Sequence, residues 1–159
     1  MTQMNPKPLK LYLDTSVPSF LFSPDDLEKQ AATKEFFETI SKSKGHQLYV
    51  SYLTMEEIED TPDVEKREAI KAVVDNLPVL EFTQEAAELA DRYLKEDIIP
   101  PKYRDDALHL ALATIHSMDI AVSWNFDHIV RLKTKHGVTG VNTLLGHKVI
   151  DIISPQELI

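Results

Sequence analysis

Short apolar runs alternate with longer segments of helical period along most of this chain, and that alternation restricts the folds open to it. The runs are residues 9–14, Leu48 to Ser51, Val79 to Phe82, Ile120 to Ser123 and Val138 to Val141, with residues 149–153 as a further edge strand. Each is short enough for a strand. Ser16 and Pro18 read as a helix start, because proline is tolerated in a first helical turn. Residues 26–41 carry Leu27, Ala31, Phe37 and Ile40 at roughly helical spacing. Thr54-Met55-Glu56-Glu57 fits a capping box and predicts a helix start there, ended by Pro62. Ile70, Val73, Val74 and Leu77 mark one face of the next helix, and Ala86, Leu89, Ala90, Tyr93 and Leu94 mark another after Thr83. After the break at Pro100-Pro101, residues 104–117 form a helix that is apolar on most sides, the mark of a buried central element. A short helix is expected around 126–134, and Ser154 to Glu157 caps a last turn. Strands alternating with helices make an α/β domain with a largely parallel sheet.

The 159 residues suit a single domain spanning 1–159 with a real core. There are no cysteines, which excludes disulfides, zinc–thiolate sites and thiol nucleophiles and fits a cytoplasmic chain. No early apolar leader or membrane-spanning run appears, so no membrane association is expected. The net charge of −9 argues against a general nucleic-acid binder, but it is unevenly spread. Residues 56–97 hold 14 acidic and 5 basic residues, and the rest of the chain balances at 12 of each. Arg131, Lys133, Lys135 and His136 form the clearest basic run, equally readable as a solvated helix face or as phosphate contacts.

Carboxylates stand where these elements end or begin. Asp14 closes Leu11-Tyr12-Leu13-Asp14 and is followed by Thr15 and Ser16. Glu57 lies in Leu53-Thr54-Met55-Glu56-Glu57-Ile58. Asp105 and Asp106 open the apolar helix, and Asn125 and Asp127 follow the run ending in Ser123-Trp124. In a parallel sheet, ligands collect at the carboxyl ends of strands where strand order reverses, so these positions can converge on one crevice. Oxygen donors gathered there suit hard divalent cations.

Each position also has a plainer reading. Asp14 is a possible helix cap, yet three capping residues in succession exceed what one helix needs. The capping box explains Glu57 without chemistry, and only one of Glu56 and Glu57 can face a given site. Asp105 and Asp106 suit the positive end of a helix, with Asp106 preferred for the site. Asn125 is a good cap, and Asp127 is compatible with plain surface. His109 reads as a packed histidine, and His128 receives no role. Trp124 reads as packing at a strand end in preference to stacking on a base.

Taken in order, these stretches resemble the PIN-domain nucleases, including the toxin ribonucleases of bacterial toxin–antitoxin pairs. The resemblance covers about residues 9–155 and rests on the ordered set, since no single motif is specific. Asp14-Thr15-Ser16 matches the opening strand end. Ser51 then Glu57 matches the second acid, Asp106-Ala107-Leu108 with Ala111-Leu112-Ala113 the third, and Ser123-Trp124-Asn125 the fourth. The fourth position is often Asp, and Asn125 keeps a carbonyl ligand while losing a charge, with Asp127 two residues on.

The resemblance implies a three-layer α/β/α sandwich with a mainly parallel, about five-stranded sheet, and Mg²⁺- or Mn²⁺-dependent cleavage of RNA. On that basis Asp14, Glu57, Asp106 and Asn125 are expected as metal ligands, and Thr15, Ser123, Asp105 and Asp127 as supporting residues. Lys102, Arg104, Arg131, Lys133 and Lys135 are expected to hold the RNA backbone. An antitoxin protein and a homodimer are the partners implied. A second expectation is a catalytically weak PIN-like module that binds RNA or a protein. A phosphohydrolase or receiver domain on a similar sheet ranks lower, because the Asp-rich first strand and the lysine near the last strands are missing.

Overall fold

In the first strand, β1 (Lys10–Leu13), alternate side chains go to opposite faces of the sheet: Leu11 and Leu13 to one, Tyr12 to the other. The computed structural model of the chain describes residues 7–43 and 45–159. β1 pairs in parallel with β2 (Gln47–Ser51) on one side and with β4 (Ile120–Val122) on the other. β3 (Val79–Leu80) adds to β2, and β5 (Asp151–Ile153) adds to β4. The order is β3-β2-β1-β4-β5 and every pairing is parallel. The chain therefore winds outward from β1 in one direction and later in the other, so the order reverses between β1 and β4.

Helices cover both faces, as parallel strands require. On the Leu11 face lie α1 (Ser16–Phe20), α2 (Leu27–Lys42), α3 (Tyr52–Glu59) and α4 (Val64–Val74). They contribute Val17, Phe36, Ile40, Ile58, Ile70 and Val74 to one apolar layer. On the Tyr12 face lie α5 (Gln84–Lys95), α6 (Arg104–Ile115) and α7 (Leu132–Leu145), with Leu89, Tyr93, Leu110, Leu112, Val138 and Val141 in the other layer. The result is a three-layer α/β/α sandwich. α6 is buried continuously from Ala107 to Thr114, which explains its lack of a polar stripe. Among the described residues, no helix is long and apolar enough to cross a membrane.

Several local expectations are corrected. Val138 to Val141 is not a strand but the middle of α7, and the helix expected around 126–134 is a set of turns before α7 begins. The buried positions of α7 are Thr134, Val138, Val141 and Asn142, a helical spacing in which two members are polar. Tertiary packing against α5 and α6 outweighs the strand preference of the valines. Gly146, in the left-handed region at φ 76°, ends the helix. The capping box sits three residues earlier than expected. Ser51 accepts from the Thr54 backbone and Thr54 reaches back to Ser51, so α3 starts at Tyr52 directly after β2. In α2 the inward face is Thr33, Phe36 and Ile40, while Leu27 is 68% exposed.

Candidate active site

Asp14 is the first residue after β1, and its backbone N–H still donates to the Val122 carbonyl of β4. That places it at the carboxyl end of the sheet, where strand order reverses. It is only 6% exposed. Its Oδ1 accepts from the Ser16 hydroxyl at 2.5 Å and from the Ser16 backbone at 3.1 Å, so the carboxylate is tied to the first residue of α1. Its Oδ2 accepts from the Ser123 hydroxyl at 2.5 Å. Ser123 in turn accepts from the Asn125 backbone at 2.9 Å, and Ser16 accepts from the Trp124 backbone at 2.9 Å. Two hydroxyls therefore tie the ends of β1 and β4 together through one buried carboxylate.

Glu57 reaches this region from α3, while its neighbour Glu56 is exposed. Glu57 Oε1 accepts from the Thr15 hydroxyl at 2.9 Å and lies 2.5 Å from His109 Nε2. His109 is 3% exposed. Its other ring nitrogen is 2.5 Å from the Tyr12 hydroxyl, which lies 2.9 Å from Ser51 Oγ. Reading α6 as merely apolar treats His109 as core filling. The signal that distinguishes it is its place three residues after Asp106, one turn along the same helix face.

Asp106 stands in the first turn of α6, half-buried, with His128 Nδ1 3.2 Å away. Asp105 is exposed. Asn125 Oδ1 accepts from the His128 backbone at 2.9 Å, which fixes the turn carrying His128 toward Asp106. Asp127 is exposed and lines the same open cleft as Asp106 and Asn125. Trp124 is buried and its indole N–H donates to Thr33 at 2.9 Å, so it packs and offers no face to a base.

The three acids share one electrostatic neighbourhood. Burial pushes the Asp14 carboxyl above its ordinary value, with the charge of His109 and the Ser123 and Ser16 hydroxyls opposing and the charge of Glu57 reinforcing. Burial likewise raises Asp106, opposed by His109, His128 and Asn125 and reinforced by Glu57. Burial also acts to raise Glu57, but the hydrogen bond and charge of His109, with Thr15, outweigh it and hold the carboxyl low. Burial disfavours charge on His109, yet Tyr12, Glu57 and Asp14 together hold its pKa well above the usual imidazole value. The raised pKa favours the charged form of the ring, whose Nε2 faces Glu57 and whose Nδ1 faces Tyr12.

These donors are oxygen-rich and suit a hard cation in kind. As they stand, each acid is turned toward a protein partner: Asp14 toward Ser16 and Ser123, Glu57 toward His109, Asp106 toward His128. Among the described residues no three acidic or imidazole side chains converge as a ready-made metal site.

Three of the five expected basic residues, Arg131, Lys133 and Arg104, have protein partners. Arg131 donates to Thr134 Oγ1 at 2.9 Å and to the Ile98 carbonyl at 2.8 Å, a brace at the start of α7. Lys133 faces Asp97 at 3.6 Å and Arg104 pairs with Asp91 at 3.1 Å. Lys102 is exposed with its ammonium 5.8 Å from the Tyr103 ring, and Lys135 is half-exposed on α7.

No family model and no curated protein matches this sequence. Solved structures do resemble it in fold. A toxin–antitoxin complex from Klebsiella pneumoniae has a TM-score of 0.56 at 19% identity, covering 74% of this chain and 88% of that chain. VapC20 of Mycobacterium tuberculosis, described as a sarcin–ricin loop cleaving toxin, gives 0.55 at 17% identity over 74% and 89%. VapBC-1 from nontypeable Haemophilus influenzae gives 0.59 at 15% identity over 92% and 98%. At these identities the likeness is one of fold.

Proposed function

We propose that this chain, whose fold is that of the PIN-domain toxins, is a metal-dependent endoribonuclease and the toxin of a toxin–antitoxin pair. One observation carries the reading. Asp14, Glu57 and Asp106 come from three separate elements to the carboxyl end of the sheet, where burial raises both aspartates against the charge of His109, with a smaller push from Glu57. Burying like charges together is costly unless a cation offsets them. A partner antitoxin fits the toxin–antitoxin complexes that share the fold.

Asp14, Glu57 and Asp106 would hold Mg²⁺ or Mn²⁺, with Asn125 as a carbonyl donor or a water-positioning group. Such an ion would supply Lewis-acid polarisation of the phosphate and of a nearby water. The protein groups do the positioning. Ser16 and Ser123 aim Asp14, Thr15 and His109 aim Glu57, and His128 orients Asp106. Lys102 has its ammonium 5.8 Å from the ring of Tyr103, which lines the cleft. Arg104, Lys133 and Lys135 contribute to affinity only through longer-range attraction for phosphate, which makes binding salt-sensitive.

A second reading, a catalytically weak binding module, is favoured by Asn125. It lacks the fourth charge, and its carbonyl already accepts from His128. Labelled single-stranded RNA incubated with Mn²⁺, Mg²⁺ or EDTA separates the two. Metal-dependent cleavage lost in Asp14→Asn and Asp106→Asn supports the nuclease. Tight RNA or protein binding with no cleavage in either metal replaces it with the module.

A further inference from the structure

Two exposed aromatic rings wall the cleft that opens beside Asp106. Phe126 is 46% exposed and Tyr103 is 39% exposed, although both stand next to a well-packed site. The cleft holds about 550 Å³ and is lined also by Ser16, Asn125, Asp127 and His128, so of the three site acids Asp106 lines it directly and Asp14 lies behind it through Ser16. The Tyr103 ring lies against the His128 ring at 3.9 Å between centroids with the planes tilted by 31°, which holds its orientation. The Phe126 ring meets buried Trp124 edge-on at 6.0 Å. Lys29 lies within the same wall, its ammonium 5.0 Å from the Phe20 ring and 5.6 Å from the Phe126 ring.

We propose that this cleft is a subsite for one unpaired nucleobase of single-stranded RNA, beside the phosphate that is cut. Tyr103 and Phe126 are its stacking surfaces. Lys29 and Lys102 contact the flanking phosphates. The inference rests on the nuclease reading for its place in the reaction, but not for the binding itself. The argument is chemical. A base exposes both flat faces only when it is unpaired, and exposed aromatic rings accept such faces whatever the base identity. The two lysines supply positive charge locally in a chain of net charge −9, Lys29 facing Asp26 at 3.8 Å and Lys102 beside Tyr103, against Asp106 and Asp127 in the same cleft. Both rings are braced by neighbours, so little side-chain freedom is lost when a base arrives.

The test uses full-length Asp14→Asn protein with Mn²⁺ and a short single-stranded RNA carrying 2-aminopurine, each position being replaced in turn by an abasic site. One abasic position is expected to weaken binding about tenfold, the scale of one base–aromatic stack. Phe126→Ala and Tyr103→Ala should each weaken intact RNA by about the same factor and erase that abasic penalty. Tyr103→Phe and Phe126→Tyr, which keep a flat ring, should restore it. Unchanged melting temperatures show that the fold is intact, and a duplex of the same sequence should not compete.

Wild-type cleavage is measured alongside. If wild type cleaves RNA but the alanine variants bind as tightly as their parent, the subsite is overturned and the nuclease stands. If wild type does not cleave yet binding depends on both rings and on one base, the subsite stands and the nuclease reading falls. RNA that fails to bind at all, or a duplex that binds equally well, overturns the subsite.

Discussion

His109 and Glu57, 52 residues apart in sequence, meet at 2.5 Å, a nearly buried imidazole against a carboxylate that favours its protonation. The contact joins the α6 side of the sheet to α3 on the other side, across the end of β1. Tyr12 and Ser51 extend it, so a row of four polar side chains passes between the two apolar layers. Such a row holds its members in place only if each is satisfied, and here each has a partner.

His109→Gln is expected to lower RNA cleavage and to leave Glu57 free to turn. The pH dependence of stability gives a readout that packing alone would not move. The pKa of His109 is raised in the fold, so its contribution is fully present below the unfolded histidine value and is lost as pH rises through the folded value. The pKa of Glu57 is lowered, so its contribution is present above the unfolded carboxyl value and lost as pH falls through the folded value. In EDTA, the melting temperature of wild type minus that of His109→Gln should therefore peak between those limits and shrink toward alkaline pH. A difference that stays flat from about pH 5 to about pH 10 rules out the ion pair.

Divalent cations should stabilise the fold, and protons should compete with them. Asp14 and Asp106 have raised pKa values, so protonating them stabilises the metal-free protein below those values, and that benefit is lost as pH rises through them. A cation replaces the proton there. At a Mn²⁺ concentration about 100-fold above Kd, stabilisation of about 2.7 kcal/mol is expected near neutral pH. It should fall as pH drops into the shifted carboxyl range and be absent in the Asp14→Asn/Asp106→Asn double variant. Thermal melts with and without Mn²⁺ across pH read this directly, and an equal shift in the double variant would place the ion elsewhere.

Much of this architecture is legible in the sequence, for identifiable reasons. Leu11, Tyr12 and Leu13 alternate cleanly and end on Asp14, so both the strand and the position of the acid follow from pattern. Helix α5 shows its buried face as an unbroken apolar stripe from Ala86 to Tyr93. Helix α7 does not, because polar Thr134 and Asn142 occupy half of its inward face, Thr134 bonded to nearby Arg131 and His128 and Asn142 to Tyr93 and Thr114 on other helices. The α3 start is misplaced because Ser51 and Thr54 are both good caps, and only the end of β2 chooses between them. Arg131 reads as a phosphate contact until Ile98 and Thr134 are seen to take its guanidinium. The rings of Tyr103 and Phe126 are invisible as a pair, since 23 positions separate them and nothing local marks either as exposed.

Arg131→Ala should destabilise the protein by about 1–2 kcal/mol, because two hydrogen bonds from a half-buried charged donor are lost. RNA affinity should change little, whereas Lys102→Ala should weaken it and reduce its salt dependence. Urea unfolding and RNA titration on the two variants distinguish brace from ligand. Weaker RNA binding in Arg131→Ala at unchanged stability reverses the assignment.

Gly137→Ala tests how closely α7 docks on the segment before Pro100. A Cβ there would lie 2.5 Å from Ile98 Cγ1 and 2.9 Å from its Cδ1. Ile98 is 4% exposed, so its side chain has little room to withdraw. The expected cost is about 1–3 kcal/mol, measured by urea unfolding. Ile98→Val should recover part of it, since it removes the Cδ1 contact. No loss in Gly137→Ala would show that α7 can shift away from residue 98.

The buried network behind α7 gives the last test. The Tyr93 hydroxyl donates to Asn142 Oδ1 at 2.5 Å, and Asn142 Nδ2 donates to Thr114 Oγ1 at 3.1 Å. Burial pushes the Tyr93 phenol up to about 12, against some relief from Thr114 and Asn142. A folded value above the unfolded one means that this contribution is whole below about pH 10 and is lost as pH rises through the folded value. In an absorbance titration of tyrosinate, Tyr93 should therefore ionise late, close to about pH 12 and together with loss of the fold, while Tyr52 is also raised, by burial and by the charges of Glu56 and Asp105. Tyr93→Phe should remove that late step and cost about 1–3 kcal/mol at neutral pH, because the Asn142 carbonyl is left without its donor. A late step that persists in Tyr93→Phe would assign it to another phenol and separate Asn142 from the stability of α7.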